Sequence, residues 1–137
     1  MSLYYADTSA VIKLLAEEEH SIALAEFYDQ HTDAEWVSSA LLKIELTRTV
    51  TRVMPVLMPD ARDLLRAFSY VSIDDDIVEA AMNEPDRGLR SLDAIHLATA
   101  RIFGAELDAL VSYDDRLLRA AGEGGLSTAS PREEEHD

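Results

Sequence analysis

Four acidic residues, Asp7, Glu45, Asp93 and Asp114, each stand beside or inside an apolar run. Asp7 ends the strand-like run Leu3-Tyr4-Tyr5-Ala6, and Glu45 interrupts Leu41-Leu42-Lys43-Ile44-Glu45-Leu46. Asp93 sits near the start of Leu92-Asp93-Ala94-Ile95-His96-Leu97-Ala98, and Asp114 follows Leu110-Val111-Ser112-Tyr113. Carboxylates drawn together at low dielectric repel one another, so they coexist only with protons or cations. Hard divalent ions such as Mg²⁺ or Mn²⁺ prefer oxygen ligands and meet that need. Such a cluster suits phosphoester hydrolysis by an activated water, which requires no protein nucleophile. The chain has no cysteine, so thiolate metal sites and Cys catalysis are excluded.

The elements that must position these residues alternate between strand and helix. Strands are expected at Leu3–Asp7, Trp36–Ser38, Tyr70–Ile73 and Ala109–Ser112, with a last edge strand at Leu126–Ala129. Between them, Thr8-Ser9 caps a helix to about Ala16, and Ser21 opens a second. Ser39 caps a long helix to about Val53, and another runs from about Asp60 to Ser69. Asp74 caps Asp75 to Met82, and Ser91 caps a helix ending near Phe103 with Gly104 as its stop. Asp115 to Ala121 forms the last helix. Strands separated by helices imply parallel pairing with right-handed crossovers, and sites on such sheets lie at the strand carboxyl ends. Asp7 and Asp114 both sit just past such ends, while Glu45 and Asp93 fall near the first turns of helices able to lean over the same edge.

At 137 residues the chain is read as one domain over residues 1–130 with an acidic, disordered tail at 131–137. No basic leader or membrane-length apolar run is evident, so a cytoplasmic protein is expected. The formal net charge of −15 is unlike a simple nucleic-acid binder. A polyanionic substrate would need metals and placed arginines, and ten of the twelve basic residues are Arg.

Four segments carry a resemblance: Tyr5-Ala6-Asp7-Thr8-Ser9-Ala10, Leu42-Lys43-Ile44-Glu45-Leu46, Ser91-Leu92-Asp93-Ala94-Ile95-His96-Leu97-Ala98-Thr99-Ala100, and Val111-Ser112-Tyr113-Asp114-Asp115-Arg116-Leu117. In order and spacing they resemble the PIN-domain ribonucleases, and specifically the VapC-type toxins of type II toxin–antitoxin pairs. The resemblance implies an α/β fold, a PIN-like three-layer α/β/α sandwich with a mostly parallel sheet of four to five strands. It implies a Mg²⁺- or Mn²⁺-dependent endoribonuclease in which Asp7, Glu45, Asp93 and Asp114 hold metal. Thr8, Ser9 and Ser112 resemble small hydroxyl positions that orient waters or carboxylates. A homodimer and a wrapping VapB-type antitoxin are the implied partners. Some PIN proteins carry a further acid two positions past the fourth; Arg116 stands there, so a fifth ligand is not expected.

Each residue also has a plainer reading. Asp7 is favourable as a helix N-terminal charge, Glu45 as a solvated helix residue, Asp93 as a first-turn acid and Asp114 as an N-cap. His96, three positions after Asp93 on the same helix, is a candidate ligand or general base but is expected rather to be a packed histidine with locally satisfied nitrogens. Arg48 and Arg52 share the helical stripe of Glu45, and Arg87 and Arg90 precede the Asp93 helix. All four are candidates for RNA-phosphate contacts or for a solvated charge face. Arg116 and Arg119 are expected in surface salt bridges. The apolar stretch Met54–Pro59 either tucks into the core or marks a partner surface. Two rival functions remain open at this level. An Asp-dependent phosphohydrolase or phospho-acceptor is weakened because Ser9 stands where a second Asp is wanted and the only lysines are Lys13 and Lys43. A catalytically inactive PIN-like binding module would keep the fold without turnover.

Overall fold

The computed structural model describes residues 1–134. Residues 135–137 of the expected tail lie outside the described residues. Five parallel strands form one sheet: β1 (Leu3–Ala6), β2 (Glu35–Ser39), β3 (Ser69–Val71), β4 (Ala109–Val111) and β5 (Thr128–Ala129). Seven helices connect them: α1 (Thr8–Leu15), α2 (Ser21–Gln30), α3 (Leu41–Val53), α4 (Met58–Leu65), α5 (Asp75–Met82), α6 (Ser91–Arg101) and α7 (Asp115–Glu123). The strand order is β3-β2-β1-β4-β5. The first two crossovers step outward in one direction, and the third returns to the other side of β1. The order therefore reverses between β1 and β4, and a doubly wound sheet opens its crevice at that point. Asp7 and Ser112 are the residues that follow these two strands.

Alternation along the strands divides the core into two layers. Tyr5, Val37 and Leu110 pack with Leu97 and Leu117 on one face. Ala6, Trp36 and Val111 pack with Val11, Leu42, Leu46 and Val50 on the other. The sheet is thus covered on both sides, which all-parallel sheets require.

Several local expectations shift. Asp7 itself, rather than Thr8 or Ser9, caps α1: its backbone is extended and its carboxylate accepts from Ala10 N–H at 3.1 Å. Arg90 precedes α6 without any side-chain cap, so Ser91 is the first helical residue. Ser39 closes β2; its hydroxyl accepts from Leu41 N–H at 3.1 Å, while Ala40 is the residue entering α3. Asp74 caps α5 as expected, accepting from Ile77 N–H at 2.9 Å. The helix expected at 60–69 begins earlier, because a 3₁₀ turn at Pro55–Leu57 runs into Met58 and both prolines fall in first turns, where the missing N–H costs nothing. The apolar stretch is consequently divided: Met54, Leu57 and Met58 pack on the core, and Val56 is exposed. Within the tail, the Tyr113 hydroxyl donates to Pro131 O at 2.6 Å, and the carboxylate of Glu133 lies 2.8 Å from His20 Nδ1.

Candidate active site

All four acids line one cavity of about 600 Å³ at the carboxyl edge of the sheet, together with Thr8, Ser9, Arg48, Arg52 and His96. Asp7 arrives at the end of β1 and Asp114 just beyond β4. Glu45 is the fifth residue of α3 and Asp93 the third of α6. Residues separated by up to 107 positions in sequence thus share one wall, and the switch point between β1 and β4 is what joins them.

Asp7 is the buried centre, 2 % exposed. Its Oδ1 accepts from the Ser9 hydroxyl at 2.7 Å as well as from Ala10 N–H; its Oδ2 accepts from the Ser112 hydroxyl at 2.7 Å. Those hydroxyls are held in turn by backbone donors: Tyr113 N–H donates to Ser9 Oγ and Asp114 N–H to Ser112 Oγ, each at 3.0 Å. One turn of backbone after β4 therefore fixes both oxygens of the acid after β1. Burial raises the Asp7 carboxyl above the usual range, opposed by the His96 charge and these hydrogen bonds.

Glu45 is held from the other side. Thr8 Oγ1 donates to its Oε1 at 2.7 Å, and His96 Nε2 lies 2.8 Å from the same oxygen. Ser39 N–H donates to the Tyr5 hydroxyl oxygen at 3.1 Å, and the Tyr5 hydroxyl lies 2.7 Å from His96 Nδ1. Burial pushes the Tyr5 phenol upward, so it keeps its proton. Nε2, facing a carboxylate oxygen, is the donor to Glu45. Burial pulls the Glu45 carboxyl up, but the hydrogen bonds from His96 and Thr8 outweigh it and leave it below the ordinary value.

Asp93 behaves differently. Burial, followed by the charges of Asp114 and Asp7, pushes its carboxyl to about 6. Asp114 caps α7, accepting from Leu117 N–H at 2.9 Å. Capping and lining the cavity are compatible, since Oδ2 is not used by the cap.

The donor set is hard: carboxylate oxygens with adjacent hydroxyls and no sulfur, the chemistry that suits a divalent cation of the Mg²⁺ or Mn²⁺ kind. The repulsion felt by Asp93 is the electrostatic complement of that set. Among the described residues, no three His, Asp or Glu side chains already converge tightly enough to enclose an ion. The acids are gathered on one wall rather than clenched around a point.

Of the four candidate arginines, Arg48 and Arg52 line this cavity. Arg87 lines a separate groove with Arg101, Arg116 and Arg119. Arg90 is exposed at the start of α6. Arg116 and Arg119 make no ion pair within 4.0 Å among the described residues, unlike Arg66, Arg101 and Arg132, so the surface salt bridges expected of them do not form. Lys13 pairs with Glu18 and Lys43 lies over the Tyr70 ring, so neither lysine enters the cavity as a phospho-acceptor site would want. His96 is buried, as a packed histidine should be. Its partners are nonetheless distant in sequence, and with Tyr5 and Ser39 it forms a support that the sequence reading missed. The available signal was its offset of three from Asp93, which places both on one side of α6.

Comparison with known proteins agrees with this geometry. The PIN-domain family model matches residues 4–123. Ribonuclease VapC35 of Mycobacterium tuberculosis is 42% identical over 131 residues, covering 94% of this chain and 97% of that protein. Ribonuclease VapC47 of the same species is 39% identical over 134 residues, with the same coverage of each chain. Among solved structures, VapBC2 from Rickettsia felis bound to a promoter DNA fragment superposes with a TM-score of 0.71 at 13% identity, covering 93% of this chain and 97% of that one. A toxin–antitoxin complex from Klebsiella pneumoniae gives 0.69 at 22% identity, covering 97% and 99%. The family match spans all four acidic segments, and the chain belongs to the PIN-domain family.

Proposed function

We propose that this protein is a metal-dependent endoribonuclease acting as the toxin of a toxin–antitoxin pair. The observation that carries the reading is the convergence of Asp7, Glu45, Asp93 and Asp114 on one cavity at the β1/β4 switch point. The names of the VapC ribonucleases that resemble it over nearly their full length support the substrate class. The solved toxin–antitoxin complexes with the same fold support a VapB-type antitoxin as partner, and a homodimer is what the family resemblance implies. An RNA substrate places the work in the cytoplasm.

Asp7, Glu45, Asp93 and Asp114 are the residues that would hold Mg²⁺ or Mn²⁺. When bound, the ion lowers the pKa of a water and neutralises charge on the phosphate. The chain's own contribution is positional. Ser9 and Ser112 hold Asp7 in one rotamer, and Thr8 with His96 holds Glu45 ionised. Arg48 and Arg52, one and two turns along α3 from Glu45, stand where a phosphate entering the cavity would meet guanidinium groups. The exposed side chains of Ile44 and Leu92 form an apolar lip beside the acids.

The test is sequencing of RNA 5′ ends after induced expression, with wild type compared against Asp7→Asn. New ends at defined sites in wild type alone are expected. Identical end profiles from two folded proteins would remove the nuclease reading and favour a binding module.

A further inference from the structure

A second groove, of about 570 Å³, runs beside α7 and the loop that precedes α6. Arg87, Arg116 and Arg119 line it, all exposed and none within 4.0 Å of a carboxylate among the described residues. The fourth arginine, Arg101, is committed to Glu84 at 2.6 Å. Glu84, Asp86 and Glu123 also line the groove, with Asp86 Oδ1 accepting from Gly88 N–H at 3.0 Å, so the arginines outnumber the acids four to three. Three guanidinium groups without an ion pair among the described residues stand out in a chain of net charge −15.

The Arg116 side chain is seated rather than free. It lies so close over Gly88 that a β-carbon there would collide with its guanidinium group. A glycine at this position lets the fork lie against backbone, which reduces the rotamer freedom lost on binding. Arg116 and Arg119 are three apart on α7 and so present to one side.

Helix α7 links the groove to the acid cavity. Asp114 lines the cavity and caps α7, while Arg116, in the first turn of the same helix, lines the groove. The loop before α6 carries Arg87 of the groove, and the first turn of α6 carries Asp93 of the cavity. A polyanion with one phosphate at the acids would find guanidinium groups on α3, at Arg48 and Arg52, and a second set in this groove.

We propose that Arg87, Arg116 and Arg119 form a second site for the phosphodiester backbone of single-stranded RNA, holding the strand outside the acid cavity. Choosing RNA over another polyanion rests on the ribonuclease reading; the anion site itself rests on the groove.

The experiment measures binding, so it does not depend on turnover. Fluorescence anisotropy of labelled 4- and 12-nucleotide single-stranded RNAs is followed against salt in EDTA, for wild type and for the double variant Arg116→Gln/Arg119→Gln. Wild type is expected to bind the longer RNA more tightly. Losing two phosphate contacts should flatten the slope of log affinity against log salt by about 1.4, at about 0.7 per contact. The affinity for the 12-mer should fall about tenfold at ~0.1 M salt. The Lys variants Arg116→Lys/Arg119→Lys should keep most of the salt slope, and circular dichroism should report the same fold in all. An unchanged slope in a folded Gln variant, or no salt-sensitive RNA binding by wild type, would overturn the proposal. So would displacement of RNA by an equimolar acidic peptide, which would point to a protein partner. If the groove binds RNA but no RNA is ever cut, the ribonuclease reading fails and the groove stands.

Discussion

His96 Nε2–H donates to Glu45 Oε1 at 2.8 Å, joining α6 to α3 across the carboxyl edge of the sheet. The far side of the ring is held as well, where the Tyr5 hydroxyl lies 2.7 Å from Nδ1 and accepts from Ser39 N–H. Three elements thus hold one cavity carboxylate in place. The preorganisation is paid for in folding, since every member of the chain is buried or nearly so.

His96→Ala should therefore damage both stability and rate. It leaves the Tyr5 hydroxyl without its imidazole partner and Glu45 without its ring donor. A cost of about 2–3 kcal/mol is expected in urea unfolding, since a buried polar group is orphaned and a cavity opened. In RNA cleavage the loss should fall on kcat more than on KM, because Glu45 would be misplaced rather than removed.

Asp7→Asn keeps the shape of the central acid and removes its charge. An amide nitrogen would face either the Ser9 or the Ser112 hydroxyl, both of which can reorient. The variant should fold with a melting temperature close to wild type. Cleavage should fall by at least about a hundredfold, the scale lost when a preorganised electrostatic group is removed. Activity within a fewfold of wild type would deny Asp7 a place at the reacting centre.

Asp93 predicts a trade between stability and function. Its carboxyl titrates at about 6 because ionisation is opposed by burial and by Asp114 and Asp7. A folded-state pKa raised above the unfolded value near 3.8 means the folded state holds the extra proton between those values. Stability without metal should accordingly decline as pH rises from about 4 to about 6, by the linkage of proton binding to folding. The neutral Asp93→Asn should be more stable than wild type at pH 7 in EDTA, by a few degrees in melting temperature. It should gain little from added Mg²⁺ or Mn²⁺.

Glu45 works in the opposite sense. Its lowered carboxyl favours the ionised folded state, so its contribution is present above the ordinary Glu range and is lost on acidification through the folded value. Glu45→Gln should remove that contribution and flatten the acid limb of the stability profile, as measured by melting curves from pH 3 to 5.

Divalent metal itself should stabilise the protein above pH 6, where the acids are ionised, and do so less at pH 5, where Asp93 is largely protonated. Differential scanning fluorimetry with Mg²⁺, Mn²⁺ and EDTA across that range would register the difference. A metal shift that is independent of pH would argue for an ion bound elsewhere.

The alternation of strand and helix, the caps at Asp74 and Asp114, and the placement of Asp7 and Asp114 past strand ends were legible in the sequence because they depend on neighbours within a few residues. The parallel sheet followed from the same pattern, since helices between strands leave few other topologies. The four acids were readable as one set because each carboxylate beside an apolar run needs a reason. Tertiary structure decided what local pattern cannot carry. The strand order reverses between β1 and β4, so Ser112 reaches Asp7. The fold seats His96 between Tyr5 and Glu45, though its helix neighbours contain no such partners. It also parts Arg87 from Arg48 and Arg52, and gathers it with Arg116 and Arg119 into a groove of their own. Sequence spacing determines which side of a helix or strand a residue occupies; only the packing of elements determines what that side meets.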